Sequence, residues 1–175
     1  MTHTIEIAPT GRAKCRACMA SIAKGERRFG ERLPNPFSDD GGEMTHWFHL
    51  ACAAFARPEP LIETLDASTE AIADRDLLLH EARLGVEHRR LPRVRAAGRA
   101  TSARAACRSC KEPIAKDAWR IALVYYEDGR FSPSGFIHAS CARAYLETTE
   151  VMPRVRHFSP ELTEADLQEI AAVIA

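Results

Sequence analysis

Cys15-Arg-Ala-Cys18 and His49-Leu-Ala-Cys52 are the segments from which the rest of the chain is read. They recur downstream as Cys107-Arg-Ser-Cys110 and His138-Ala-Ser-Cys141. Three thiolates and one imidazole make a tetrahedral Zn²⁺ shell, and each tight pair lets two ligands share one turn. The chain has six cysteines, and these two sets use all of them. A disulfide framework is the competing reading of six cysteines. Against it stand the histidine common to both sets and the start of the chain, Met1-Thr-His-Thr-Ile-Glu-Ile7, which has no apolar run and no basic leader. Reduced cysteines and two Zn²⁺ per chain are therefore expected, one held by Cys15, Cys18, His49 and Cys52, the other by Cys107, Cys110, His138 and Cys141. His46 is a rival ligand, but only His49 has an equivalent in the second set. Catalytic zinc keeps an open position, whereas these shells are closed and no acid–base pair flanks them by spacing, so an enzyme is not expected.

The likeness between the two halves extends past the ligands. Arg12-Ala-Lys-Cys-Arg-Ala-Cys18 parallels Arg104-Ala-Ala-Cys-Arg-Ser-Cys110, and Ser21-Ile-Ala-Lys-Gly25 parallels Pro113-Ile-Ala-Lys-Asp117. This is a duplicated module. The expected fold is α+β, with each zinc-stabilised module a short β-hairpin or sheet with flanking helices. The modules are placed at residues 1–88 and 103–175. Residues 89–102, with Pro92, Gly98 and five Arg, read as an Arg-rich flexible linker between them.

Inside each module the Cys pair should sit in a knuckle whose amides face the sulfurs. Ala118–Tyr126 is rich in aromatic and β-branched residues and reads as a strand, followed by a hairpin turn at Glu127-Asp-Gly-Arg130 and a return over Phe131–Ile137. Arg27–Leu33 is the weaker match in the first copy, with a longer turn-rich loop at Pro34–Gly42. His49–Ala56 and His138–Leu146 read as short helices. Trailing helices are expected from Ser68 to about Leu84 and from Thr163 onward, the latter with Ser159-Pro160 as a further start signal. Trp47 and Trp119 read as core fillers. His80, His88 and His157 read as surface histidines.

Only 7% of the 175 residues are aromatic, so each module has few large side chains and needs its metal. The formal net charge is zero, which taken alone argues against a nucleic-acid binder. The charge is segregated, however. Arg12–Arg32 holds seven Lys/Arg against two Glu, Glu59–Glu81 seven acids against one Arg, and Arg83–Arg108 eight Arg against one Glu. Such a field can hold a polyanion on one face, although solvated helix faces explain any single charge as well. No apolar stretch is long enough to span a bilayer, so a membrane partner is not expected.

At these residues the sequence resembles the poly(ADP-ribose) polymerase-type zinc finger family, whose finger also occurs in DNA ligase III. The first copy carries the family pattern in Gly11-Arg-Ala-Lys-Cys15, Ile22-Ala-Lys24 and His46-Trp-Phe-His49-Leu-Ala-Cys52. The second carries Ala103-Arg-Ala-Ala-Cys107 and Ile114-Ala-Lys116, and departs from the pattern at Phe136-Ile-His138, where the Trp is missing. The resemblance implies binding to DNA strand breaks, nicks or ends, largely independent of sequence. It implies phosphate contacts by Arg12 and Arg104, and by the strand residues Arg28 and Arg120. It also implies apolar stacking on the exposed base pair by Met44 and Pro133, with Phe37 and Phe131 standing in for a second stacking position. No ligase or ADP-ribosyltransferase region follows the fingers, so a break sensor or repair accessory is expected, with a DNA repair enzyme as a further partner. A structural-zinc protein-interaction adaptor without DNA binding is the alternative. The Arg-rich, Lys-poor composition points to a bacterial cytoplasm, at the nucleoid, with a eukaryotic nucleus as the other option.

Overall fold

A computed structural model describes residues 2–35 and 41–174, in two compact units, Met1–Glu87 and His88–Ala175. In the first unit, β1 (Thr4–Ile7), β2 (Arg27–Pro34) and β3 (Glu43–His49) form an antiparallel sheet in that order. Helices α1 (Leu50–Ala56), α2 (Pro58–Ala67) and α3 (Arg75–Glu87) follow. The strands alternate as the pleat demands. Phe29 and Phe48 point inward and are fully buried with ring centroids 6.1 Å apart, while Arg28 and Trp47 share the opposite face. Buried Leu61, Leu65, Leu78, Leu79 and Ala82 on α2 and α3 complete the core with the Ala-rich α1.

The second unit repeats the plan. A 3-10 turn at Leu91–Arg93 leads into β4 (Val94–Arg99), which pairs with β5 (Trp119–Glu127), itself paired with β6 (Arg130–His138). A 3-10 turn at Ala139–Cys141 runs into α4 (Ala142–Leu146), then α5 (Met152–Phe158) and α6 (Glu164–Ile174). Ile121, Leu123 and Ile137 are buried, as are Leu146, Val155 and Ile170 from the helices. The β5–β6 hairpin turns where expected. Asp128 and Gly129 have φ of 49° and 75°, the paired left-handed residues that a tight two-residue hairpin requires. Thr163 caps α6 as its sequence suggests: its Oγ1 accepts from the Asp166 amide at 3.2 Å, and Asp166 Oδ2 accepts from the Thr163 amide at 2.9 Å.

Three expectations need correction. Residues 89–102 are not a flexible linker: they supply β4, the counterpart of β1, with Leu91, Val94, Ala97 and Ala100 buried. The small apolar residues hid it, because β4 is an edge strand with arginines facing out. The helix expected from Ser68 begins only at Arg75. Residues 68–74 are a non-helical connection, and the helix before them is α2, which starts on Pro58, a residue suited to the first helical turn. Ser159 does not start a helix but ends α5, and its Oγ accepts from the buried Ala97 amide at 2.8 Å.

Gly30 marks the tightest point of the first sheet. A Cβ there would lie 2.6 Å from the Trp47 ring and 2.9 Å from the methyls of Thr4 and Thr45. Gly30→Ala should therefore lower stability by about 1–3 kcal/mol and displace the indole, read as a lower Tm with altered Trp47 fluorescence.

Candidate metal centres

Each knuckle is closed by backbone. The Cys15 amide donates to Ala20 O at 2.8 Å and the Met19 amide to Cys15 O at 2.9 Å, with Met19 at φ 65°. Cys107, Glu112 and Lys111 repeat these bonds at 2.8 and 2.9 Å, with Lys111 at φ 70°. The turn brings two cysteines together; the end of β3 or β6 delivers the histidine, and the helical turn after it the last cysteine. Cys15, Cys18, His49 and Cys52 thus converge, as do Cys107, Cys110, His138 and Cys141, and within each group the ligand atoms lie within 4.8 Å of one another.

The spacing fits zinc. With Zn–S near 2.3 Å and Zn–N near 2.1 Å, a tetrahedron separates sulfur from nitrogen by about 3.6 Å. The Cys18 and Cys52 sulfurs lie 3.4 and 3.7 Å from His49 Nδ1, and those of Cys110 and Cys141 lie 3.5 and 3.9 Å from His138 Nδ1. The far ring nitrogens also face acceptors, and that of His138 is within hydrogen-bond distance. His138 Nε2 donates to Pro113 O at 3.2 Å, and His49 Nε2 faces Glu26 Oε1 at 3.8 Å. Both sets are zinc sites, and His46 belongs to neither.

Electrostatics explain why the cage wants a cation. The Cys52 thiol hydrogen-bonds the Cys15 sulfur and, with the Cys18, His49 and Ala17 amides, holds the Cys15 pKa down at about 4 against burial. Its partner Cys52 is pushed strongly up by the same bond and by burial, and burial raises Cys18. In the second set burial opposes the Cys107 thiolate, but the Cys110, His138 and Ser109 amides outweigh it and bring the pKa to about 6. Burial raises Cys141 to about 11. Cys15 and Cys107 are the sulfurs readiest to ionise, while Cys18, Cys52 and Cys141 resist, so zinc entry expels protons and metal affinity falls as pH falls.

The implied DNA-contacting residues are distributed around these cages. Arg12 and Arg104 are exposed on the chain leading into each knuckle. Arg28 and Arg120 sit opposite the zinc-ligand histidines in the strand register, Arg28 across from His49 and Arg120 across from His138. Each guanidinium lies over an aromatic ring, Arg28 at 3.5 Å from the Trp47 centroid and Arg120 at 3.8 Å from that of Phe136. Phe136 therefore takes the place of Trp47. Neither tryptophan is a fully buried core filler. Trp47 is half-buried under Arg28, and Trp119 takes Arg99 on its ring at 4.1 Å while its Nε1 donates to Glu169 at 2.9 Å. Met44 is half-buried at the start of β3, Pro133 is exposed on β6, and Phe131 packs on Tyr126 with centroids 4.6 Å apart. Phe37 lies outside the described residues.

Sequence reasoning missed a polar trio in the first unit, buried Glu31 and His46 with half-buried Arg57. Glu31 is only 1% exposed and accepts from Arg57 Nε at 2.9 Å, and His46 lies across from it in the register. Burial, and then Arg16, pull the His46 pKa down, so it is held neutral. Glu31 falls on the same alternating face as Phe29 in a strand-like run, and that was the one signal available.

Residues 6–88 match the family model described as "Poly(ADP-ribose) polymerase and DNA-Ligase Zn-finger region". A Poly [ADP-ribose] polymerase of Drosophila melanogaster is 26% identical over 154 residues, an alignment taking in 73% of this chain and 14% of the fly protein. The chain thus spans a small part of the length of that relative. The match takes in the Cys15, Cys18, His49 and Cys52 cage and nearly all of the first unit, which is thus similar to the poly(ADP-ribose) polymerase-type zinc finger.

Proposed function

We propose that this protein binds DNA strand breaks without regard to sequence and serves as a break sensor or repair accessory. The observation that carries this reading is the cation fixed beside each zinc cage: Arg28 and Arg120, each laid on an aromatic ring opposite a ligand histidine. A guanidinium held in place by stacking is suited to a phosphate oxygen, and exposed Arg12 and Arg104 add a second contact per finger. Phosphate contacts give affinity without telling a break from intact duplex. Discrimination falls to Met44, Pro133, Phe131 and Phe37, since an apolar side chain stacked on an exposed base pair is worth about 1–3 kcal/mol. A cut backbone also bends at lower cost, which favours nicks further.

Fluorescence anisotropy with nicked, blunt-ended and covalently closed duplexes, each over a salt series, tests the reading. Tighter binding to nicked or ended DNA is expected. Arg12→Ala combined with Arg104→Ala should weaken it by about a hundredfold and flatten the log–log salt slope by roughly two. Equal affinity for all three duplexes removes break recognition, and no binding to any of them leaves the adaptor reading standing.

A further inference from the structure

The two fingers differ in charge beside the phosphate-facing arginine. In the first, Glu6 on β1 stands across from Arg28. Its Oε1 accepts from Arg28 Nη2 at 2.6 Å and from Nε at 3.1 Å. Arg28 is held between this carboxylate and the Trp47 ring, with its side chain 8% exposed. In the second finger the residue across from Arg120 is Gly98. Arg120 keeps its aromatic support on Phe136 but makes no ion pair among the described residues, and it is half-buried rather than buried.

We propose that Glu6 competes with phosphate for Arg28, and that its replacement by Gly98 makes the second finger, through Arg120, the stronger DNA-backbone ligand of the pair. The inference rests on the DNA-binding reading and deepens it. A phosphate approaching Arg28 must displace a carboxylate already bound to two of its N–H groups, or share the cation with it against like-charge repulsion. At Arg120 the same donors meet no such rival. The first finger's grip is therefore the weaker and the less salt-sensitive, and Glu6 sets it.

The test uses the full chain on a nicked duplex, with zinc content and circular dichroism as folding controls. Arg120→Ala should cost about tenfold more affinity than Arg28→Ala. Glu6→Gln, which keeps an acceptor oxygen but no charge, should tighten binding about threefold, and Gly98→Glu should weaken it about tenfold. Gly98 has open space where a Cβ would go and no left-handed φ, so its variant should fold even if Glu6→Gln does not. Binding that is unchanged in Gly98→Glu, weakened by Glu6→Gln, or more sensitive to Arg28→Ala than to Arg120→Ala overturns the inference while leaving DNA binding intact. A wild-type protein that binds no duplex overturns the parent reading, and this one with it.

Discussion

Stripping zinc from the purified protein will unfold both units. Structural zinc of this kind contributes about 10–16 kcal/mol of apparent binding free energy near neutral pH, more than the whole stability of a small domain. Without metal each cage holds several sulfurs within 4.8 Å of one another around no counter-charge, and the knuckle, the final strand and the following helix lose their common anchor. A strong chelator should release two zinc ions per chain, detected colorimetrically, with loss of far-UV ellipticity. The second site should empty first, because Cys110 is exposed, whereas Cys15 and Cys52 of the first site are buried. Trp47 and Trp119 report the two units separately, so Trp→Phe variants can assign each phase. A chain that stays folded after losing its metal, or that carries fewer than two ions, contradicts the zinc assignment.

Arg57→Ala should be the most destabilising substitution outside the cages. It leaves Glu31, 1% exposed, as a buried carboxylate stripped of its bidentate partner, at a cost of about 3–5 kcal/mol. The second unit shows how the same place can be filled without charge. Leu123 and Gly135 face each other across the strand register where the first unit has Glu31 and His46, and Leu146 lies five residues after Cys141 as Arg57 lies five after Cys52. Replacing Glu31 and Arg57 together by leucine should accordingly be neutral or stabilising. Urea unfolding followed by Trp47 fluorescence distinguishes these outcomes, and a mild Arg57→Ala would mean that Glu31 is satisfied by other groups.

The zinc cages and the repeat were legible because ligand chemistry imposes spacing directly on sequence: every Cys and both ligand histidines fall where expected. The β5–β6 hairpin was legible for a similar reason, since Asp128-Gly129 is a local turn signal and Ile121, Leu123 and Val124 supply strand propensity. What was hidden depends on tertiary context. β1 and β4 are short edge strands whose stability comes from pairing with β2 and β5, not from their own composition. α2 follows α1 across Arg57-Pro58, and those two residues look like a terminator when read without the core they cover. The ion pair of Arg28 with Glu6 joins residues far apart in the chain, and no local pattern marks it.

Tandem copies of one fold run the risk, during synthesis, of trading strands and helices with each other. The unlike interiors of these two guard against it. A β2 strand borrowed by the second unit would put the Glu31 carboxylate at the register position of buried Leu123, away from Arg57, and a borrowed β5 would set Leu123 across from His46 and part Arg57 from its acid. The Glu31–Arg57 pair thus acts as a proofreading mark, sorting each segment back to the half that encodes it.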